Sequence, residues 1–438
     1  MMKQWSQLEE QVERFMEEEQ VPGLAIAISQ NGEVIYKHGF GYGELARKEP
    51  VTPETIFGIA SVSKSFTALA TMQLVEAGQL SVEDPVIHYL PQYQLAGQPE
   101  MEKIQIHHLL SHSTGVAPVK RREETLHFSE QIQYLSSDEI EILGEPGQYF
   151  SYCNDTFLLL GAIIEKLSGQ SFRRYMTIKI LDPLGMNRTT YSLEEVARFT
   201  NVSTPFEKNP ATKAVEPVPW PTLGIYEVGG GIRSNVLDLL AYGEVYVNAK
   251  HCEEKLQLSQ KTLQQMWTPY IPVGEHQDYG YALEITADYH GYTLVEHGGG
   301  QPGVSSNFGF VPEAGLVVAV LCNLSAVPIR KIWLAAVHAA LGLSMEQNDP
   351  IASSYQLTDV ELHSLLGRYT SAEGSSLILY QDSKKLMAAV DEQVYPVRPV
   401  AKDRVLLEPM EKPIRFYLNE AGQAWAAFLG MRMLKRRS

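Results

Sequence analysis

The chain has 438 residues, enough for two or three domains, or for one large α/β unit with a small companion. Its 44% hydrophobic content supports a real core, and a net charge of −16 argues against nucleic-acid or anionic-membrane partners, which want a basic face. No apolar run is long enough to span a membrane, and the acidic start does not read as a signal peptide, so a cytoplasmic protein is expected, or a secreted one if a leader was removed.

Trp5, Leu8, Val12, Phe15 and Met16 recur at helical spacing with glutamates on the other face, and Pro22-Gly23 ends that helix. "GLAIAISQ" and "EVIYKHGFGYG" follow, joined by Asn31-Gly32. That pair is a hairpin signal, because both turn positions need positive φ. From about 61 to 270 the pattern is mainly helical, clearest over 65–77, 104–112, 155–168 and 236–248. Strand signals return at 279–286, 292–297, 304–311 and 316–322, and a helix over 326–342 ends at Gly342. The simplest assembly is α+β. The first hairpin and the late strands form one antiparallel sheet, the terminal helices pack on it, and the middle of the chain is a helical subdomain at its edge.

Residues 1–345 are expected to form this domain. A polar linker containing Asp349-Pro350 follows over 346–356, and a small all-β, barrel-like domain over 357–438. The tail segments "SSLILYQ", "KLMAAV", "VYPVRPV", "RVLLEP", "IRFYLN" and "AWAAFLG" supply its strands.

Several motifs fail on context. "GYGELA" at 41–46 matches a dinucleotide-binding pattern, but two prolines follow where a helix must open. No P-loop, H-E-x-x-H or G-x-S-x-G is present. Cys153, Cys252 and Cys322 are too scattered for a disulfide framework or a CxxC site. "HHLLSH" sets His108 and His112 four apart on an expected helix. Two zinc ligands could sit so, but spacing offers no third ligand, and the blander reading is a packed helix whose histidines bond nearby backbone.

"FGIASVSKSF" is more specific. Three residues is nearly one helical turn, so Lys64 shares a face with Ser61. A lysine in a dry site gives up its proton readily and can act as a base, and a helix start favours developing negative charge. The blander reading makes the serine a helix cap. Tyr152-Cys153-Asn154 precedes a helix, where a tyrosine and an asparagine two apart can face one cleft; the blander reading is a turn with a half-buried tyrosine. In "VEHGGGQPGVSSNFGF" a strand ends in His297 and three glycines, which allow close approach of a ligand's backbone or mark a bulge.

Ser61-x-x-Lys64, Tyr152-x-Asn154 and His297-x-Gly299, in that order, resemble the three motifs of the serine β-lactamase and penicillin-binding protein superfamily. The most similar branch holds class C β-lactamases, D-Ala-D-Ala carboxypeptidases, D-aminopeptidases and related esterases. The likeness runs from residue 5 to about 342, through "IHHLLSHSTGV" and "DPLGMNRTTY" among other segments. The resemblance implies that Ser61 forms an acyl-enzyme, with Lys64 and Tyr152 handling the proton and the primary base left open between them. Asn154 would bond Lys64 and the substrate amide, His297 and Gly299 would belong to the substrate-binding site, and the backbone N–H groups of Ser61 and Gly300 would form the oxyanion hole. It implies no cofactor and no metal. The third motif departs from β-lactamases by starting with histidine instead of lysine, a weaker and switchable charge. Cys153 is expected in packing, and the segment 116–144 beside the cleft.

The expected function is therefore a serine hydrolase of amides or esters, first a peptidase on small D-amino-acid peptides, then a carboxylesterase, then a weak β-lactamase. A different class of reading is a slowly acylating sensor that signals through its β domain. The partner is a small molecule or short peptide, and the sequence leaves open whether the chain forms a homo-oligomer.

Overall fold

The computed structural model describes residues 2–137, 139–345, 353–383, 385–391 and 393–437, so residues 346–352 of the expected linker lie outside the described residues. The chain divides into two compact units. The first comprises Met1–Asp84, Glu123–Glu130 and Phe157–Gln347, and the second Pro85–Arg122, Gln131–Thr156 and Asn348–Ser438.

The first unit is built on an antiparallel sheet of nine strands. In spatial order these are Glu49–Pro50, Glu33–Glu44, Gly23–Gln30, Leu316–Cys322, Val304–Val311, Tyr292–Gln301, Glu284–Tyr289, Gln277–Tyr279 and Ile271–Pro272. The hairpin at its start turns through Asn31 at φ 52° and Gly32 at φ 83°, the two left-handed positions that Asn-Gly tolerates. All seven residues of Leu316–Cys322 are buried, without the alternation of a half-exposed strand, because both faces are covered. Val318 and Val320 pack with Leu8, Val12 and Trp333 of the terminal helices, Met2–Glu19 and Arg330–Leu341. On the opposite face Val317 meets the helix Val236–Val247 so closely that a Cβ on Gly243 would lie 2.1 Å from it.

The strand expected over 279–286 is two strands. Gly280 donates to the Leu283 carbonyl at 2.9 Å and Ala282 takes φ 55°, so the chain reverses inside that run. Its aromatic and branched residues hide a tight turn marked only by Gly280. The helix expected over 104–112 spans only Ile106–Leu110. "GYGELA" lies in strand Glu33–Glu44 and the turn after it, with no helix to hold a dinucleotide.

In the second unit, eight strands from Gly367–Thr370 to Arg432–Arg437 close into a barrel. A short helix, Asp359–Leu365, precedes them behind a Thr358–Glu361 capping box. The barrel interior is filled by Tyr369, Leu377, Leu379, Val405, Phe416 and Leu434, as expected of a barrel of this strand number. Two strands go beyond the six legible segments, and they are the pair that closes the barrel, with Arg368 opposite Arg437. A run such as "RMLKRR" reads as solvated charge; here Arg436 instead donates to the carbonyls of Ser364, Leu366 and Ala424.

The sheet of the first unit also carries two acids side by side. Glu284 faces Glu296 in register. Glu296 pairs with Arg330 at 2.6 Å and accepts from Asn307 at 2.8 Å, while Glu284 accepts from Gln277 at 2.8 Å. Desolvation, and then the Glu296 charge, raise the Glu284 carboxyl from 4.5 to about 7. The folded protein thus keeps a proton that the unfolded chain releases. This stabilisation is complete below the ordinary carboxylate value and is lost as pH rises through about 7. Melting temperatures across that window should fall with rising pH, and Glu284→Gln should flatten the dependence; an unchanged slope would refute the assignment.

Candidate active site

Ser61 sits half-buried in a 3-10 turn, Ala60–Val62, that runs directly into the helix Ser63–Glu76. That helix is buried on all sides from Ser63 to Met72, which its small residues Thr67, Ala68, Ala70 and Thr71 permit. No side chain caps either the turn or the helix, so the Ser61 hydroxyl is not consumed as a cap. Ala60 takes φ 44°, a left-handed conformation costing an alanine on the order of 1 kcal/mol. Neighbours fix it there. Ile59 donates to the Ile232 carbonyl at 3.0 Å and accepts from the Ser306 hydroxyl at 2.8 Å, and Ile232 donates to Ser63 Oγ at 3.2 Å.

Lys64 is 1% exposed. Its Nζ lies 3.3 Å from Ser61 Oγ and donates to the Gly229 carbonyl at 2.9 Å, with the Phe157 ring centroid 5.6 Å away. A Cβ on Gly229 would come within 2.9 Å of that same Nζ, so a side chain there would displace the amine from its place beside Ser61. Thr67 anchors the same segment through the Val228 carbonyl at 2.7 Å. Sequence reasoning missed Gly229; the available signal was the triplet Gly229-Gly230-Gly231.

The third motif lies against this turn. A Cβ on Gly299 would fall 2.3 Å from the Ile59 carbonyl oxygen and 2.3 Å from Ser306 Oγ, so the glycine is what admits the strand Tyr292–Gln301 to the Ser61 turn. Around Gly300 the space is open, with no described atom within 4 Å of an added Cβ. The neighbouring strand, Glu284–Tyr289, pairs no further along than Glu296, so 297–301 run past its end. His297 is 3% exposed. Its Nδ1–H donates to the Gly298 carbonyl at 2.6 Å, which leaves Nε2 to accept from the Tyr279 hydroxyl at 3.0 Å. Burial first, and the nearby Lys64 charge second, push this histidine down to about 3. Where the sequence suggests a switchable positive charge, burial and the Lys64 amine favour the neutral form of His297. Tyr279, its partner, carried no sequence signal.

Tyr152 and Asn154 belong to the second unit, Asn154 opening the helix Asn154–Ser168. Tyr152 is 5% exposed, and its N–H donates to the Met431 carbonyl at 2.8 Å. His112 lies just past the end of its helix at φ 52°, so it does not share a helical face with His108. It accepts from Cys153 N–H at Nδ1, 3.3 Å, and its ring centroid lies 4.1 Å from that of Tyr152. His108 Nδ1 accepts from Gln105 N–H at 3.0 Å. The expectation that these histidines bond nearby backbone therefore describes both. No cluster of His, Cys, Asp or Glu among the described residues is arranged to hold a metal. Cys153 is buried, and burial pushes its thiol up to about 12, a packing residue and not a nucleophile.

Residues 8–341 match the beta-lactamase family. The chain belongs to that family. A penicillin-binding protein of Bacillus subtilis strain 168 is 24% identical over 431 residues, covering 93% of this chain and 92% of that one. Protein flp of Staphylococcus aureus strain N315 is 30% identical over 190 residues, 42% of this chain but only 38% of flp. Among solved structures, the octameric penicillin-binding protein homologue of Pyrococcus abyssi superposes with a TM-score of 0.74 at 31% identity, covering 98% of this chain and 99% of that one. The expected fold, a β-lactamase-like domain with a terminal barrel, is the observed one, and family membership supports serine hydrolase chemistry in general.

The close approach at Gly299 and the left-handed backbone at Ala60 both favour the smaller side chain. Gly299→Val should drive its side chain into the Ile59 carbonyl and lower the melting temperature by several degrees, about 2 kcal/mol or more of stability. Ala60→Gly removes the Cβ from a left-handed residue and should hold or raise the melting temperature. Differential scanning calorimetry of both variants checks the pair; a tolerated Gly299→Val would refute the packing argument.

Proposed function

We propose that the protein hydrolyses small D-amino-acid peptides through an acyl-enzyme on Ser61. The observation that carries this reading is the buried Lys64 amine, within 3.3 Å of the Ser61 hydroxyl and steered by the Gly229 carbonyl. Such an amine in a dry site can take or relay the serine proton. Ser61 Oγ bonds the substrate carbonyl carbon, and the bond to the leaving amine breaks as that amine receives the proton. Water then adds to the ester, releasing the acid and restoring Ser61. Tyr152 is the general base that works with Lys64, and Asn154 bonds Lys64 and the substrate amide. The Ser61 and Gly300 N–H groups receive the oxyanion, a role that the open space at Gly300 favours; such donors are worth about 3 kcal/mol each.

His297 weighs against a substrate that needs its carboxylate anchored, a β-lactam or a D-Ala-D-Ala carboxyl terminus alike, and favours an amide of a D-residue with no carboxylate beside the scissile bond. A neutral side chain there offers no positive charge to a substrate carboxylate, so it shapes the site without anchoring an anion. An assembly of identical chains belongs to the same proposal, because the Pyrococcus abyssi homologue is octameric; light scattering at micromolar concentration should give a mass well above one chain.

Ser61→Ala should abolish covalent labelling by a fluorophosphonate while the protein still melts cooperatively, and Tyr152→Phe should slow labelling by about two orders of magnitude. Intact mass spectrometry reads both, and a labelled Ser61→Ala protein would refute the nucleophile. A panel of D-amino-acid amides, D-Ala-D-Ala peptides, short nitrophenyl esters and nitrocefin should show fastest turnover on the D-amino-acid amides. Ester turnover alone would favour the esterase, and one retained acyl group per chain without turnover would favour a sensor.

A further inference from the structure

The barrel and the Tyr152 motif are hydrogen-bonded to each other within the second unit. Tyr152 N–H donates to the Met431 carbonyl at 2.8 Å, and Met433 N–H donates to Ser151 Oγ at 3.1 Å, so the start of the last barrel strand grips the motif like an extra strand. Between these two contacts stands Arg432. Its guanidinium carbon lies 5.2 Å from the Tyr152 ring centroid, within the range of a cation–π contact. Its Nε donates to Glu373 at 2.5 Å. The other oxygen of Glu373 accepts from the Asn154 side-chain amide at 3.4 Å. The Arg432 and Glu373 side chains are 27% and 15% exposed, so the pair is largely shielded from water, where charge acts at longer range than on a surface.

We propose that Arg432 and Glu373 of the barrel are positioning residues that hold the Tyr152 phenol and the Asn154 amide in place and set how readily the phenol ionises. This rests on the reading of Tyr152 as the general base. A cation facing the ring favours the phenolate, and the carboxylate beside it offsets part of that effect. The two residues therefore push Tyr152 in opposite directions while both brace the motif. A purely structural ion pair would give no such opposition. The barrel thereby becomes a working part of the enzyme, with its function at the outer turn near Met431 and not in its filled interior.

Among the described residues of this unit, Arg432 and the His112 ring lie against Tyr152, Cys153 adjoins it in the chain, and Glu373 is joined to the motif through Arg432 and Asn154. His112 and Cys153 stay the same in every variant below, so their effects cancel in the comparison. The test is the rate of fluorophosphonate labelling of the full chain as a function of pH. Arg432→Met should move the midpoint of the profile upward by about one pH unit. Glu373→Gln keeps an acceptor for Asn154 but removes the charge, and should move the midpoint downward. Arg432→Lys should return it most of the way. Unmoved midpoints, or two shifts of the same sign, overturn the proposal. Should Arg432→Met fail to fold, the downward shift in Glu373→Gln and the near-wild-type profile of Arg432→Lys must still appear, or the proposal falls. Tyr152→Phe separates this from the mechanism beneath it. A slow Tyr152→Phe with unshifted variants overturns only the positioning role, whereas a fast Tyr152→Phe overturns both.

Discussion

A lysine amine carried into a dry interior must find acceptors there, and the first unit is arranged around that requirement for Lys64. Gly229 offers a carbonyl with no side chain in the way, and Ser61 offers a hydroxyl from the turn above. The left-handed Ala60 bends the turn toward the third-motif strand, and Gly299 lets that strand come close enough for Ser306 to hold the Ile59 carbonyl. Glycines at 229 and 299 thus do the same work from two sides. Each admits backbone where any other residue would insert a methyl group. The strain at Ala60 persists because hydrogen bonds on both of its flanks over-determine the turn.

The barrel has a comparable logic. Its lumen is filled by apolar side chains among the described residues. Its contribution is made at one edge, where Phe428 lies against Phe150 and where Trp425 and Tyr417 flank Tyr149. Arg437 reinforces the attachment by pairing with Glu141. The segment ahead of the Tyr-x-Asn motif is therefore embedded in aromatic packing before the motif begins, which fixes where Tyr152 starts from.

Much of this was legible in the sequence wherever the signal was local. Asn31-Gly32 dictated a hairpin, the runs at 304–311 and 316–322 dictated strands, and the three-residue step from Ser61 to Lys64 dictated a shared helical face. What escaped depended on long-range contacts. His297 reads as a titratable residue until Tyr279 and the sheet enclose it. His112 reads as helical until a left-handed turn takes it out of the helix to meet Cys153. The strand Arg432–Arg437 lies beyond the segments legible in the sequence, and its arginines show their role only once each has its partner. In each case tertiary burial reversed what composition suggested.

The middle of the large sheet carries a cost in assembly. Gly23 and Asn323, 300 positions apart, are hydrogen-bonded neighbours, and Leu24 pairs with Cys322. The first hairpin can form within its own short stretch, but its inner edge stays unpaired until nearly the whole catalytic unit has been synthesised. That edge is apolar, with Leu24, Ile26 and Ile28 all destined for the core. A chain with such distant pairings folds slowly, and for that interval it exposes a sticky strand to other copies of itself. Chaperone demand and aggregation during rapid expression follow from the topology, however stable the finished sheet is.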